Sequence, residues 1–160
     1  MISRYSIEEK NSYITSEEES VCPICGGRLG KYGTRGRTFI DGGGVKLTLV
    51  IRRVQCLSCK KIHHELPDIL IPYKRHCANT IGKVIAGDAG DVCCEDSTIR
   101  RIGAWWAACL LYFESILTSL REKYEIIFSA HPAPKEIVRA VVNAHLWPST
   151  RSAFLSGWRF

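Results

Sequence analysis

Cys22-Pro23-Ile24-Cys25 and Cys56-Leu57-Ser58-Cys59 are two Cys-x-x-Cys knuckles with thirty residues between them. The two-residue spacing lets both sulfurs of a pair face one ion. Four sulfurs on two tight turns can close a tetrahedron around one Zn2+, leaving no open position for a substrate. Iron accepts the same thiolate set. The arginines and lysines between the knuckles suit an anionic partner better than an electron-transfer partner. Cys22, Cys25, Cys56 and Cys59 are therefore the expected zinc ligands.

The intervening stretch reads as a β-hairpin. Gly26-Gly27 gives the first knuckle the permissive backbone of a tight turn, whereas Lys60-Lys61 follows the second, which lacks glycine. Arg37-Thr38-Phe39-Ile40 reads as a first strand and Asp41-Gly42-Gly43-Gly44 as its turn. Val45 to Gln55 reads as the return strand. Val45, Leu47, Leu49 and Ile51 alternate with Lys46, Thr48 and Arg52, so one apolar and one polar face are expected. Leu66-Pro67 and Ile71-Pro72 disfavour a helix and predict an extended exit.

Charge is concentrated on this module. The chain has 160 residues and a formal net charge of +6, but residues 22–76 hold eleven basic and three acidic side chains, net +8. Residues 1–21 are net −3 and residues 77–160 net +1. Clustered positive charge is the usual footprint of phosphate binding. Arg35, Arg37, Lys46, Arg52, Arg53, Lys60 and Lys61 are the candidates, expected to form one exposed face along a DNA backbone. His63 and His64, just past the second knuckle, are expected at the surface or on phosphate, since four thiolates already complete the metal site.

Beyond the ribbon the period changes to that of helices. Asn79 to Ala86 reads as a short helix ending at Gly87. A longer one opens at Ser97, a candidate N-cap, and runs to about Lys123. Ile99, Ile102, Trp106, Cys109 or Leu110, Phe113, Ile116 or Leu117 and Leu120 recur on one side. Ala104, Trp105, Ala108 and Leu111 make the other side apolar too, which predicts a helix buried all round or covered by a partner. Lys135 to Trp147 reads as a last helix, with Ile137, Val138, Val141, Val142 and Leu146 inward. Residues 149–160 show no period. Ser97, Thr98, Arg100 and Arg101 at the start of the long helix, after a short one, have the chemistry of a recognition helix entering the major groove.

The expected fold is α+β: an acidic lead over residues 1–20 with room for a short helical piece, a zinc-ribbon hairpin over 21–76, and an α-helical domain with a helix-turn-helix over 77–160. Cys77, Cys93, Cys94 and Cys109 are expected as structural cysteines. The polar, acidic start lacks the basic-then-apolar order of a secretory leader. The longest apolar run, Ala104 to Phe113, is short for a bilayer span. A cytoplasmic protein without a membrane partner is expected. No acidic set matches a metal-dependent nuclease, and no enzyme is expected.

Cys22-Pro23-Ile24-Cys25-Gly26-Gly27, Gly36-Arg37, Val45-Lys46-Leu47-Thr48-Leu49, Ile51-Arg52-Arg53-Val54-Gln55-Cys56 and Glu65-Leu66-Pro67 together resemble the N-terminal zinc ribbon of bacterial insertion-sequence transposases. Pro72-Tyr73-Lys74-Arg75 and the Ser97–Arg101 helix look like the helix-turn-helix that follows there. The chain as a whole is similar to a small bacterial zinc-ribbon family of mobile-element context. The resemblance implies double-stranded DNA, transposon ends among it, as partner. The catalytic domain of those transposases has no counterpart here, so a stand-alone accessory or regulatory factor is expected. The alternatives are a protein-interaction module for a transposase or polymerase partner, and an RNA binder, for which the hairpin shows no evident aromatic platform.

Overall fold

The computed structural model describes residues 20–147, together with the backbone of two strands before them. The architecture is mixed, with strands first and helices after. The elements are β1 (Ser3–Tyr5), β2 (Ser12–Ser16), β3 (Leu29–Ile40), β4 (Lys46–Cys56), β5 (Ile62–His64), α1 (Ala78–Ile85), α2 (Asp96–Tyr124) and α3 (Pro134–Asn143). Within the acidic lead, residues 3–5 and 12–16 form strands, and the stretches that hold its glutamates lie outside the described residues. β3, β4 and β5 form an antiparallel sheet with β4 in the middle, β2 runs parallel to β4, and β1 pairs with β2.

β3 starts at Leu29, well before the expected Arg37. Gly30, Gly33 and Gly36 lie within it, and glycine weakens any strand signal. Pairing with the valine- and isoleucine-rich β4 along its whole length overrides that local preference. The register slips between Lys31 and Gly33, so Tyr32 has no partner across the ladder. At that level the buried side of β4 switches from Leu49 and Ile51 to Val54 and Cys56. Val45 and Leu47, expected inside, are exposed. The apolar face of the hairpin packs Phe39, Leu49 and Ile51 against Leu70 and Cys77.

The exit segment is not extended. It makes two consecutive turns, with the Leu70 N–H on the Pro67 carbonyl at 3.0 Å and the Lys74 N–H on the Ile71 carbonyl at 3.1 Å. It then ties itself to the hairpin: Ile40 N–H reaches the Arg75 carbonyl at 2.7 Å and Cys77 N–H the Ile40 carbonyl at 2.9 Å. Cys77 is also the residue before α1, so the ribbon hands its last strand bonds directly to the first helix.

The helices share a second core of Ile81, Val84, Ile102, Trp106, Cys109, Phe113, Ile116, Leu117, Leu120, Ile137, Val138 and Val141. The inward stripe of α2 is the one its periodicity predicts. Its far side is not buried all round: Ala104 is exposed and Leu111 is 80% exposed. Over its most apolar 18 residues α2 has a mean hydropathy of 1.2, enough by length and composition to cross a bilayer. A third of that window is buried here, and α1 and α3 pack on its apolar stripe. α2 begins one residue earlier than its Ser97 cap candidate, after Glu95, and no side chain caps it. α3 starts on Pro134, the favoured first helical position for proline, and ends at Asn143 rather than Trp147. Leu146 beyond it is exposed. The region 149–160 lies outside the described residues.

Lys74 joins the two cores. Its ammonium sits 3.7 Å from the centre of the Trp105 ring, a cation–π contact. Trp106, by contrast, is core, its ring tilted against that of Phe113 with centres 5.4 Å apart. Burial pulls the Lys74 ammonium down to about 8, against the pull of the nearby Cys109 sulfur. The unfolded chain then binds more protons than the folded one between about pH 8 and its ordinary 10.5, so this group makes stability rise with pH across that window.

Two stability measurements follow. Phe113→Ala should cost about 3–5 kcal/mol in urea unfolding, while Leu111→Ala stays within about 0.5 kcal/mol; equal losses would refute the assignment of the two faces of α2. Across pH 8 to 10.5 the wild type should gain stability relative to Lys74→Met, and parallel curves would show that Lys74 is not desolvated.

Candidate metal centre and basic face

The hairpin brings both knuckles to one end. The sulfurs of Cys22, Cys25, Cys56 and Cys59 all lie within 4.8 Å of one another. Cys22 Sγ is 3.6 Å from Cys59 Sγ and Cys25 Sγ 3.5 Å from Cys56 Sγ. A tetrahedral ion with metal–sulfur bonds of about 2.3 Å needs sulfurs about 3.8 Å apart. The cluster therefore fits a metal ion, and zinc suits its four thiolates.

The two knuckles have the same backbone. Gly26 N–H bonds to the Cys22 carbonyl at 2.8 Å, and Lys60 N–H to the Cys56 carbonyl at 3.1 Å. Gly26 has φ +69 and Lys60 φ +61. Lys60 thus takes the left-handed conformation that glycine takes in the first knuckle, at a cost a side chain normally avoids. Leu57 N–H bonds the Arg28 carbonyl at 2.9 Å and locks one knuckle to the other. Gly27 marks their closest approach: a Cβ there would lie 2.7 Å from Ser58 Oγ and 3.1 Å from Cys56 Sγ.

The charge on these sulfurs is set locally. The Cys59 N–H leads in drawing the Cys56 thiol down, against burial and with help from Ser58 N–H and the Cys25 and Cys59 sulfurs, to about 6. The Lys61 N–H also lowers Cys59, but burial and the other three sulfurs outweigh it and push that thiol up to about 11. One thiolate forms easily and its neighbour resists. A cation at the centre removes that conflict, and binding it releases the remaining protons.

His63 is buried against this centre, with Nε2 3.4 Å from Cys22 Sγ. Burial, then His145, lowers its pKa, which keeps the ring neutral. In its Nε2–H tautomer it donates to the Cys22 sulfur, an outer contact that orients a metal ligand. This corrects the expectation of a surface histidine. The alternation of β5 could have shown it, because His63 pairs with the buried Val54.

The seven basic candidates of the ribbon do not form one face. Arg52 is ion-paired with Glu65, which is buried and also accepts from Ser20 Oγ at 3.3 Å. Arg37 is half-buried and donates to the Lys74 carbonyl at 3.1 Å. Arg53 is half-buried and stacks on Tyr32, its guanidinium carbon 4.9 Å from the ring centre. Arg35, Lys46, Lys60 and Lys61 are exposed. Strand alternation puts Arg35, Arg37 and Arg53 on one side of the sheet and Lys46 and Arg52 on the other.

In α2, Ser97, Arg100 and Arg101 are exposed and Thr98 is half-buried. Arg101 turns back onto its own helix, donating to the Ser97 carbonyl at 3.3 Å and Thr98 Oγ1 at 3.1 Å. Of the other cysteines, Cys77 and Cys109 are buried, and Cys94 Sγ lies 3.4 Å from His76 Nδ1. No second group of three or more ligands is found among the described residues.

A family model described as a domain of unknown function, DUF6431, matches residues 22–102. That is just over half of the 160-residue chain, and the chain belongs to this family. The match starts at the first metal-site cysteine and ends in the first turns of α2. No curated protein and no solved structure matches the chain.

The metal centre makes a direct prediction. Wild-type protein should retain one Zn2+ through gel filtration and Cys56→Ser should not; full metal content in the variant would refute the site. Lys60→Gly should keep the metal and gain about 1 kcal/mol by relieving the left-handed lysine, read as a higher melting temperature.

Proposed function

We propose that this member of the DUF6431 family is a zinc-dependent DNA-binding protein, a stand-alone transposon-associated accessory or regulatory factor without catalysis. The observation that carries the reading is the uncompensated charge of the ribbon. Of the three acidic side chains in residues 22–76, Glu65 is consumed by Arg52, Asp68 by Lys135, and Asp41 accepts from the N–H groups of Gly43 and Val45 in the hairpin turn. Lys60 and Lys61 stay exposed beside a centre that zinc would make rigid, and Arg35 and Lys46 stay exposed further along the hairpin, Lys46 at its far end. Such a surface binds phosphates by releasing counterions.

The order of α1, the connection 86–95 and α2 supports a helix-turn-helix reading, in which Arg100 at the exposed start of α2 reaches base edges. Arg101, tied to Ser97 and Thr98, would brace that turn. The likeness of the ribbon to transposase N-termini suggests transposon ends as the DNA and the cytoplasm as the place. A second reading, a module that binds a transposase or polymerase partner, draws on the exposed Leu111 and Ile127. It would leave DNA binding weak and blind to sequence.

Metal-loaded protein should bind duplex DNA with an affinity that falls steeply with salt. Lys60→Ala and Lys61→Ala should each lower the log–log salt slope by about 1. Absence of binding at low salt with the metal in place would end the DNA reading.

A further inference from the structure

Tyr32 is the residue the ladder leaves out. The slip between Lys31 and Gly33 frees it from any partner on β4, and the residue is 48% exposed. Bulges commonly re-aim one side chain beside a functional site. Here the re-aimed ring is braced by the Arg53 guanidinium at 4.9 Å. Among the described residues the Arg53 Nε is buried without a hydrogen-bond partner, so a ligand would meet this half-buried side chain at its other guanidinium nitrogens.

The surroundings are equally specific. Directly across from Arg53 on β3 stands Gly33, and on the other side, on β5, stands His64. Nothing lies within 4 Å of where a Gly33 side chain would begin. The sheet face is therefore open at Gly33, across from Arg53 and one residue from Tyr32. Arg35 lies two residues further along β3, on the same side, and is exposed. Burial, then Arg35, then Arg53 disfavour the charged form of His64.

An aromatic residue half open to solvent beside two arginines is the minimal equipment for holding a nucleotide outside a duplex: the base stacks and the phosphate pairs. We infer that Tyr32, Arg53, Arg35 and the gap over Gly33 form a seat for one unpaired nucleotide, its base on the free side of the Tyr32 ring and its phosphate on the arginines. The inference rests on the nucleic-acid reading above and adds to it a preference for ends, overhangs or melted sites over uninterrupted duplex.

The test compares a blunt DNA duplex with the same duplex carrying a short single-stranded overhang, made once of DNA and once of RNA. Metal-loaded wild type should bind the overhang forms more tightly than the blunt one. Tyr32→Ala should lose about 5- to 100-fold in overhang binding, Tyr32→Phe should keep it, and all should bind the blunt duplex alike. Gly33→Val, which fills the gap without removing charge, should abolish the gain from the overhang. Metal content and circular dichroism check that each variant folds, and the tyrosine series stands if the valine does not. Wild-type binding to blunt duplex with no gain from an overhang overturns this inference alone, as does a full gain in Tyr32→Ala. Absence of any nucleic-acid binding overturns it together with the proposed function. The DNA and RNA arms show which polymer supplies the nucleotide.

Discussion

The convergence of four sulfurs at one end of a two-stranded ladder is the constraint on which the ribbon depends. A hairpin alone is marginal in water, and this one carries three glycines in β3 and a run of cations. Its apolar floor is small, with Phe39, Leu49 and Ile51 at its centre. The thiol chemistry works against the arrangement until a cation arrives, since Cys56 ionises readily and Cys59 resists. A metal at that point converts repulsion into four bonds, and metal affinity becomes folding free energy. His63 then extends the constraint outward. Its ring touches Cys22 on one side and stands edge-on to His145, beyond α3, on the other, with ring centres 5.8 Å apart.

The same logic explains why ribbon and helices are not separated by a slack linker. Residues 70–78 carry strand-like bonds to Ile40 and lead straight into α1. Gly44 in the hairpin turn meets Cys93 in the connection before α2. Lys74 adds a cation–π contact to Trp105 of α2. Each contact is small, but all fix the hairpin relative to the start of α2. A protein that presents one basic element and one helix start to the same anionic ligand needs that relative position held.

How much of this was legible in the sequence depends on the interaction involved. The metal-site cysteines and the inward stripe of α2 were readable because each is a local spacing repeated along the chain. The full length of β3 was not, because Gly30, Gly33 and Gly36 carry no strand signal and only pairing with β4 holds them there. The equivalence of the two knuckles was hidden by Lys60, which adopts a glycine conformation without being one. Burial of His63 and neutralisation of Arg52 come from partners on other strands or turns, and no one-dimensional pattern shows them. The single basic face failed for the same reason: alternation assigns a side of the sheet, but only tertiary contacts show which cations remain unpaired.

That sorting of cations bears most on function. A raw count of positive charge treats Arg52 and Lys61 alike, yet Arg52 neutralises a buried carboxylate and Lys61 faces solvent. Removing Arg52 would strand the Glu65 charge in the interior, a structural injury that mimics loss of a ligand contact. Arg53 lies between these extremes, stacked on Tyr32 and left with an unsatisfied donor. In a native fold such a donor normally finds a partner, and neither Gly33 nor His64, which flank Arg53 across the two ladders, offers it a carboxylate.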